Sequence, residues 1–187
     1  MIESYRDRLQ PLIEKAVTGD RDAFSEIVRI MMKPIVALTY RMTRNREAAY
    51  DLAQDTFLAA WQNLSGFRGE ALFDSWLYRI ATNKTLNYLA SPKSAVVASD
   101  DYRLNDMADD NTPEKLLMQK ELKGMVLDFM STLPTRQRLV FNLRFYRNLP
   151  FTEISEITGN AEGTVKTNYR EAIKKLREYM KQKGWQS

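Results

Sequence analysis

The sequence predicts an all-α protein of two small helical domains joined by a flexible linker, and three observations support this. Apolar residues recur at steps of three and four along most of the chain, the period of a helix with one buried face. These stretches stop at glycine or proline and restart at residues that cap helices well. Over residues 91–112 the apolar period is lost, so we place the domains at 1–90 and 113–187, on either side of this linker.

Four helical segments are predicted in the first domain. Gly19 stops the first, and Asp20 caps the second. Pro34 lies in the middle of the second and predicts a kink or a split into two helices, because proline removes a backbone donor and its ring clashes with the preceding turn. Asn45 caps the third, which runs to Leu64. The predicted core residues are Tyr5, Leu9, Leu12, Ile13 and Val17, then Phe24, Ile27, Val28, Met31, Ile35, Leu38 and Met42, then Leu52, Ala53, Thr56, Phe57, Ala60, Trp61 and Leu64.

The third segment has a second face at helical spacing that the core does not need. Acidic and amide side chains surround one leucine on this face, which comprises Asp51, Gln54, Asp55, Leu58 and Gln62. Such a face could dock another protein, whereas composition alone favours an ordinary solvated surface. Both interpretations stay open on these residues.

The stretch over residues 65–89 has the highest density of aromatic residues in the chain. Two glycines flank Phe67 and Arg68 in a predicted loop, and Asp74 lies near the start of a fourth helix. Rings among cations and amides are typical of single-strand binders, in which aromatic side chains stack on unpaired bases at about 1 to 3 kcal/mol each. The candidates are Phe67, Arg68, Trp76, Tyr78, Arg79, Asn83, Lys84, Asn87 and Tyr88. We expect Trp76 and one of the tyrosines to belong to the core, and Asn83, Lys84 and the Phe67 loop to be functional.

Two helices are predicted at the start of the second domain. The first begins with Thr112 as cap and Pro113 in the first turn, and it ends at Leu133 and Pro134. Thr135 caps the second. Their predicted core residues are Leu116, Leu117, Leu122, Val126 and Phe129, then Leu139, Val140, Leu143 and Phe145.

The second domain ends in two helices joined by a tight turn. Thr152 is the predicted cap of the first, Gly159 ends it, and Asn160 caps the second. The second helix has an inward face of Val165, Tyr169, Ala172, Ile173, Leu176 and Met180, and an outward face of Thr164, Lys166, Thr167, Arg170 and Lys174. Because basic and hydroxyl side chains suit phosphate contacts and base recognition in the major groove, we predict a DNA-binding helix-turn-helix; the alternative is an ordinary helical hairpin.

Charge and composition favour a nucleic-acid partner over catalysis. The 187 residues carry a net charge of +4, while the residues from Lys120 onward, with 13 basic and 7 acidic side chains, carry +6. Cysteine and histidine are absent, which removes thiol chemistry, the commonest zinc ligands and the commonest general base. No glycine-rich phosphate loop or nucleophile elbow occurs. We therefore predict a protein that is not an enzyme and needs no cofactor.

The N-terminal segment is charged throughout and lacks the apolar core of a signal peptide. No later run of apolar residues reaches membrane-spanning length. We therefore expect a cytoplasmic protein without membrane insertion.

Four motifs in order resemble those of the extracytoplasmic-function (ECF) sigma factors, the smallest bacterial initiation factors of the sigma superfamily. In the first domain the motifs are Gly19 and Asp20 with Ala23 and Phe24, then DLAQDTFL from Asp51 to Leu58 with Trp61, then FDSWLYRIATN from Phe73 to Asn83. The fourth motif lies in the second domain and comprises Leu133 and Pro134 with Gln137 and Arg138, Glu153 and Ile154, and GTVK from Gly163. The resemblance covers nearly the whole chain.

The resemblance implies a factor that binds core RNA polymerase and directs it to specific promoters. The face from Asp51 to Gln62 would dock on the clamp helices of the polymerase β′ subunit. The Phe67 loop with Asn83 and Lys84 would hold the non-template strand of the minus-10 element, and the last helix, through residues such as Arg170, would recognise the minus-35 duplex. The second domain would also touch the β flap. Such factors are commonly restrained by an anti-sigma protein.

A conventional helix-turn-helix regulator is the alternative. It would bind duplex DNA without polymerase, usually as a dimer on paired half-sites.

Overall fold

A computed structural model describes residues 5–69, 71–95 and 113–184. Within these ranges the chain is helical and contains no strand, so the all-α prediction is confirmed. The helices are α1 (Tyr5–Val17), α2 (Arg21–Thr43), α3 (Arg46–Asn63), α4 (Phe73–Ala90), α5 (Pro113–Thr132), α6 (Thr135–Phe141), α7 (Phe151–Thr158) and α8 (Glu162–Gln182). Short helical turns lie at Leu64–Gly66 and Pro92–Ala95, and a π-helical segment lies at Asn142–Tyr146.

The chain forms two compact units, one containing α1 to α4 and the other containing α5, α6 and α8. The boundaries of the predicted domains and linker stay predictions, since most of the proposed linker and the cap at Thr112 lie outside the described residues. None of the described helices is both long enough and apolar enough to cross a membrane.

The first unit is built around α2, which packs against α1, α3 and α4. The two predicted caps at its helix starts are confirmed: Asp20 Oδ1 accepts hydrogen bonds from the backbone N–H groups of Asp22 and Ala23 at 2.9 and 3.0 Å, and Asn45 Oδ1 accepts one from Ala48 at 3.0 Å. Gly19 has a φ of +99°, which a residue with a Cβ resists.

Helix α2 runs unbroken through Pro34, so of the two predicted outcomes the split is wrong, and the kink stays a prediction. Met31 and Ile35, on either side of the proline, are both fully buried. Burial of large side chains stabilises by about 1.5 to 3 kcal/mol each, which together outweighs the roughly 3 kcal/mol that an internal proline costs. Both halves of the helix are therefore held in one core.

The second unit has its own core, in which α8 packs against α5 and α6. The buried members are Val126, Phe129, Met130, Leu133, Phe141 and Ala172, and partly buried residues around them are Leu122, Tyr146, Tyr169, Ile173, Leu176 and Tyr179. The inward face predicted for α8 is thus largely confirmed.

Three predicted helix caps in the second unit are wrong. Helix α6 starts at Thr135 itself, α7 starts at Phe151, and α8 starts two residues after Asn160. The first carbonyls of these helices come from Pro134, Pro150 and Ala161, which accept hydrogen bonds from the backbone N–H groups four residues later at 2.9 to 3.1 Å. Pro134 (φ −53°, ψ 143°) and Ala161 (φ −57°, ψ 141°) lead into their helices without a hydrogen bond from a capping side chain.

Phe145 was predicted to point inward, and the structure corrects this. Its side chain is 47% exposed, although its ring stacks on Phe141 at a centroid distance of 4.9 Å. The segment Asn142–Tyr146 is a π-helix, whose wider turn shifts the residue out of the face that a regular α-helix would bury.

Candidate nucleic-acid and protein-docking surfaces

The outer face of α3 is fully open to solvent. We call Asp51, Gln54, Asp55, Leu58 and Gln62 the α3 stripe, and every one of its members is exposed. Leu58 is 57% exposed, the highest value among the large apolar residues that are exposed in the described chain. Leu52, Ala53, Thr56, Phe57 and Ala60 on the other face are buried. A leucine ringed by carboxylates and amides can fill an apolar pocket on a partner while the acceptors around it pair with basic side chains.

The loop that contains Phe67 and Arg68 and precedes α4, called the aromatic loop below, packs against a cluster of three aromatic rings. The ring of Phe67 lies 5.4 Å from that of Phe73 and 5.3 Å from that of Trp76, and Phe73 and Trp76 are 5.5 Å apart. Phe73 is buried, whereas Phe67 and Trp76 are half-buried. Arg68 beside them is exposed. The cluster packs the base of the loop into the core, while Phe67 and Trp76 stay partly accessible and Arg68 is exposed.

The α4 helix carries a polar face that continues from this loop. Arg79 and Asn83 are exposed, four residues apart, and Lys84 is half-buried. Trp76 lies one turn before Arg79, so the ring, the cation and the amide follow one side of the helix. Ring surface followed by hydrogen-bonding and cationic groups suits a single strand whose bases are unstacked.

Tyr78 does not belong to this face, contrary to the prediction. Its side chain is 0% exposed, and its neighbour Leu77 is equally buried. The buried side of α4 is unusually wide: it comprises Phe73, Asp74, Ser75, Leu77, Tyr78, Ala81, Thr82 and Thr85. Tyr78 is therefore the tyrosine that belongs to the core, and it cannot stack on a base.

The outward face of α8 is exposed along its whole length. The five predicted residues, Thr164, Lys166, Thr167, Arg170 and Lys174, are all exposed, whereas Val165 and Ala172 on the inward side are 0% exposed. Two of the five have contacts within the helix. Lys166 Nζ lies 2.6 Å from Glu162 Oε1, and the Thr167 hydroxyl donates to the Gly163 carbonyl at 2.9 Å.

Glu162 is a member of this surface that the sequence reasoning missed. Its carboxylate precedes Lys166 by four residues, a spacing at which opposite charges on a helix pair, so the sequence contained the pattern that would have identified it. Farther along α8, the Lys175 amine donates to Gln137 Oε1 at 2.9 Å, which ties α8 to α6.

Backbone geometry and side-chain contacts define the turn before α8. Gly159 has a φ of +67°, and the Ser155 hydroxyl donates to the Asn160 carbonyl at 2.6 Å. The rings of Phe151 and Tyr169 lie 5.6 Å apart, and the Arg144 guanidinium lies 5.0 Å from the centre of the Phe151 ring. These contacts set the angle at which α8 leaves the turn, which determines how its first turns can enter a groove.

Two family models match the chain. Residues 27–94 match Sigma-70 region 2, and residues 129–178 match Sigma-70, region 4. The first range contains the α3 stripe, the aromatic loop and the whole of α4. The second contains the turn and the outward face of α8.

Relatives and solved structures agree with these matches. The ECF RNA polymerase sigma factor SigW of Bacillus subtilis is 34% identical over 174 residues, which cover 87% of this chain and 93% of SigW. The fold is similar to that of CnrH in complex with the cytosolic domain of CnrY, with a TM-score of 0.68 at 21% identity over 91% of this chain and 95% of the other. It is also similar to RpoE in complex with the anti-sigma factor NepR from Bartonella quintana, with a TM-score of 0.66 at 22% identity over 84% and 96%.

Proposed function

The chain belongs to the extracytoplasmic-function (ECF) family of RNA polymerase sigma factors, and on that premise we propose which of its surfaces carries out each step of initiation. Sigma factors of this family direct core RNA polymerase to promoters and are not themselves enzymes. We assign no catalytic residue to this chain, since the polymerase would perform the phosphoryl transfer. It would act in the cytoplasm, where the polymerase is.

The α3 stripe would bind the clamp helices of the β′ subunit. This proposal is supported by the exposure of Leu58 at the centre of two carboxylates and two amides. Among the leucines whose side chains the structure describes, only Leu58 and Leu72 are exposed, and full burial of one in a partner pocket would contribute about 1.5 to 3 kcal/mol. The second unit would contact the β flap.

The loop and helix face of the first unit would capture the non-template strand of the minus-10 element. Half-buried Phe67 and Trp76 would stack on unpaired bases, and Arg68, Arg79, Asn83 and Lys84 would contact phosphates and base edges. Bases are accessible to such rings only when the duplex has opened, so this surface favours the melted state.

The outward face of α8 would bind the minus-35 duplex. Thr164, Lys166, Thr167, Arg170 and Lys174 are all solvent-exposed on a helix that follows a tight turn, and this is the observation that carries the assignment. Arginine can donate two hydrogen bonds to one guanine, and lysine and threonine can contact phosphates.

Transcription with purified components tests the proposal. Run-off transcription with bacterial core polymerase, with and without this protein, is performed on a pool of upstream genomic fragments. We expect discrete transcripts only when both are present, and alignment of their start sites would define the two promoter elements. If core polymerase gained no promoter specificity, while the protein alone retarded duplex fragments in a gel, the chain would be a conventional regulator. The role proposed for the α3 stripe would then be wrong.

We also propose that an anti-sigma protein restrains this factor. RpoE of Bartonella quintana, of similar fold, was solved with an anti-sigma factor, which supports this. Such a partner would mask the faces that bind polymerase. We expect a candidate anti-sigma protein, co-purified with the tagged chain, to compete with core polymerase, and Leu58→Asp to weaken both complexes. A partner that bound without displacing polymerase would contradict this mode of control.

A further inference from the structure

A buried carboxylate lies in the first turn of α4, at the second residue of the helix. Asp74 is 2% exposed. Its Oδ2 accepts hydrogen bonds from the Tyr5 hydroxyl and from Arg6 Nε, the latter at 2.9 Å, and its Oδ1 accepts one from the Ser75 backbone N–H at 3.0 Å. An ionised group held out of water is tolerated only when it is paired and hydrogen-bonded, and these contacts meet that requirement.

The partners of Asp74 come from α1, which contacts both ends of the loop. Tyr5 and Arg6 hold the end of the loop at Asp74, while α1 also packs against the short turn Leu64–Gly66 at its beginning. The Leu64 carbonyl in that turn accepts a hydrogen bond from the Phe67 backbone N–H at 3.0 Å. The two points from which the loop departs are thus both anchored to one helix.

The ring cluster links this anchor to the surface proposed to bind DNA. Phe73 precedes Asp74 and is only 5% exposed. Its ring contacts Phe67 and Trp76, the two rings of the cluster that are only half-buried. Because closely packed rings cannot shift independently, a movement of the first turn of α4 would displace both.

We propose that Asp74 is a positioning residue for capture of the minus-10 strand, and that it acts through Arg6 and Tyr5. This inference rests on the proposed function of the aromatic loop. Asp74 is too deeply buried to touch DNA. It holds α1, the end of the loop and the ring cluster in one geometry, so that the bases of the opened strand meet a preformed surface.

The test measures binding of a single strand to holoenzyme. Full-length protein is assembled with bacterial core polymerase, and its affinity is measured for a fluorescent oligonucleotide that carries the non-template minus-10 sequence defined by run-off transcription. Asp74→Asn keeps the shape and one acceptor but removes the charge, and Arg6→Gln removes the cation. We expect each to weaken oligonucleotide binding by about tenfold, while affinity for core polymerase and for the minus-35 duplex stays at the wild-type value.

Two further variants distinguish positioning from a general loss of stability. The double variant Arg6→Gln with Asp74→Asn should bind the oligonucleotide no more weakly than whichever single variant has the lower affinity, because both substitutions break the same contact. Tyr5→Phe removes one hydrogen-bond donor to Asp74 and keeps the ring, so it should reduce oligonucleotide affinity by a smaller factor. Because this change is milder, Tyr5→Phe should still fold even if Asp74→Asn does not. Arg29→Gln is the matched control, since Arg29 pairs with Glu26 on the exposed surface of α2 and should leave every affinity unchanged.

The outcomes separate this inference from the proposed function. Wild-type affinity in Asp74→Asn, or a parallel loss of core binding, would overturn the positioning role. If Phe67→Ala and Asn83→Ala weakened the oligonucleotide complex while Asp74→Asn did not, the loop would still capture the strand and only the positioning role would fail. If the wild-type holoenzyme did not bind the oligonucleotide, the proposed function of the loop would fail as well.

Discussion

The two surfaces proposed to bind DNA differ in how much they share with the hydrophobic core. On α8 the outward residues are all exposed, and the inward residues Val165 and Ala172 are fully buried, so recognition and packing use separate side chains. On the loop and α4 of the first unit, Phe67 and Trp76 are half-buried against Phe73 and are at once part of the core and part of the surface.

This difference has a physical origin in the two kinds of DNA. A duplex offers phosphates and groove edges, which long polar side chains can reach from solvent without disturbing the core. A single strand offers flat, apolar base faces, which bind best to rings held rigidly in place. Substitutions on α8 should therefore change binding with little effect on stability, whereas substitutions around the loop should change both.

The largest effect is expected at Tyr78, which tests where the core of α4 ends. Tyr78→Ala would leave a cavity in place of a 0% exposed ring, and we expect it to lower the free energy of unfolding by about 3 to 5 kcal/mol. Urea denaturation followed by circular dichroism measures this. Tyr50→Ala, at a tyrosine that is 37% exposed on α3, is the control and should change stability by roughly 0.5 kcal/mol or less. Normal stability with weakened single-strand binding in Tyr78→Ala would return this residue to the DNA face.

A second prediction concerns Arg170 on the exposed face of α8. Arg170→Ala should weaken binding of holoenzyme to the minus-35 duplex by about 1 to 3 kcal/mol if the guanidinium contacts a base. If it contacts only phosphate, the loss should be smaller, and the affinity of the variant should depend less steeply on salt concentration. Fluorescence anisotropy at several salt concentrations distinguishes the two. Lys181→Ala, in the last turn of the same helix, is the control and should have little effect. A marked loss of unfolding free energy in Arg170→Ala would contradict the separation of recognition from packing.

A third prediction tests the division of labour between the two surfaces. Asn83→Ala should impair promoter opening by about 1 kcal/mol, the contribution of one hydrogen-bonding group, and leave minus-35 binding intact. Permanganate reactivity of unpaired thymines in the holoenzyme complex measures the opening. If duplex affinity fell equally in the Asn83 and Arg170 variants, the two surfaces would not have separate roles.

The smallest effect is expected at Glu162, which holds Lys166 within α8. Glu162→Gln would release the lysine from a partly exposed pair at 2.6 Å, and we expect duplex affinity to rise by roughly 0.5 kcal/mol at most, with a steeper salt dependence. Anisotropy with a duplex that lacks the minus-35 element measures the non-specific part. A loss of affinity confined to the specific duplex would mean that Glu162 itself contacts a base.

The sequence was most informative where one side chain has one role. The α3 stripe and the outward face of α8 were predicted residue by residue, and every member is exposed, because a helical period separates buried from solvated positions. It was least informative where backbone geometry or packing takes over. Helices α6 and α8 begin without a side-chain cap, and Phe145 is turned outward by a π-helical segment that a period of 3.6 does not anticipate.

The helical class, the caps at Asp20 and Asn45, and the exposed faces of α3 and α8 could all be predicted, since they follow from local spacing and chemistry. Which aromatic residues of α4 belong to the core depends instead on tertiary packing. It placed Tyr78 inside, left Trp76 half-exposed, and joined Arg6 to Asp74 across 68 positions of the chain. The physical reason is that burial and ion pairing depend on the elements that pack against a residue, and α1 is far from α4 in sequence while adjacent to it in space.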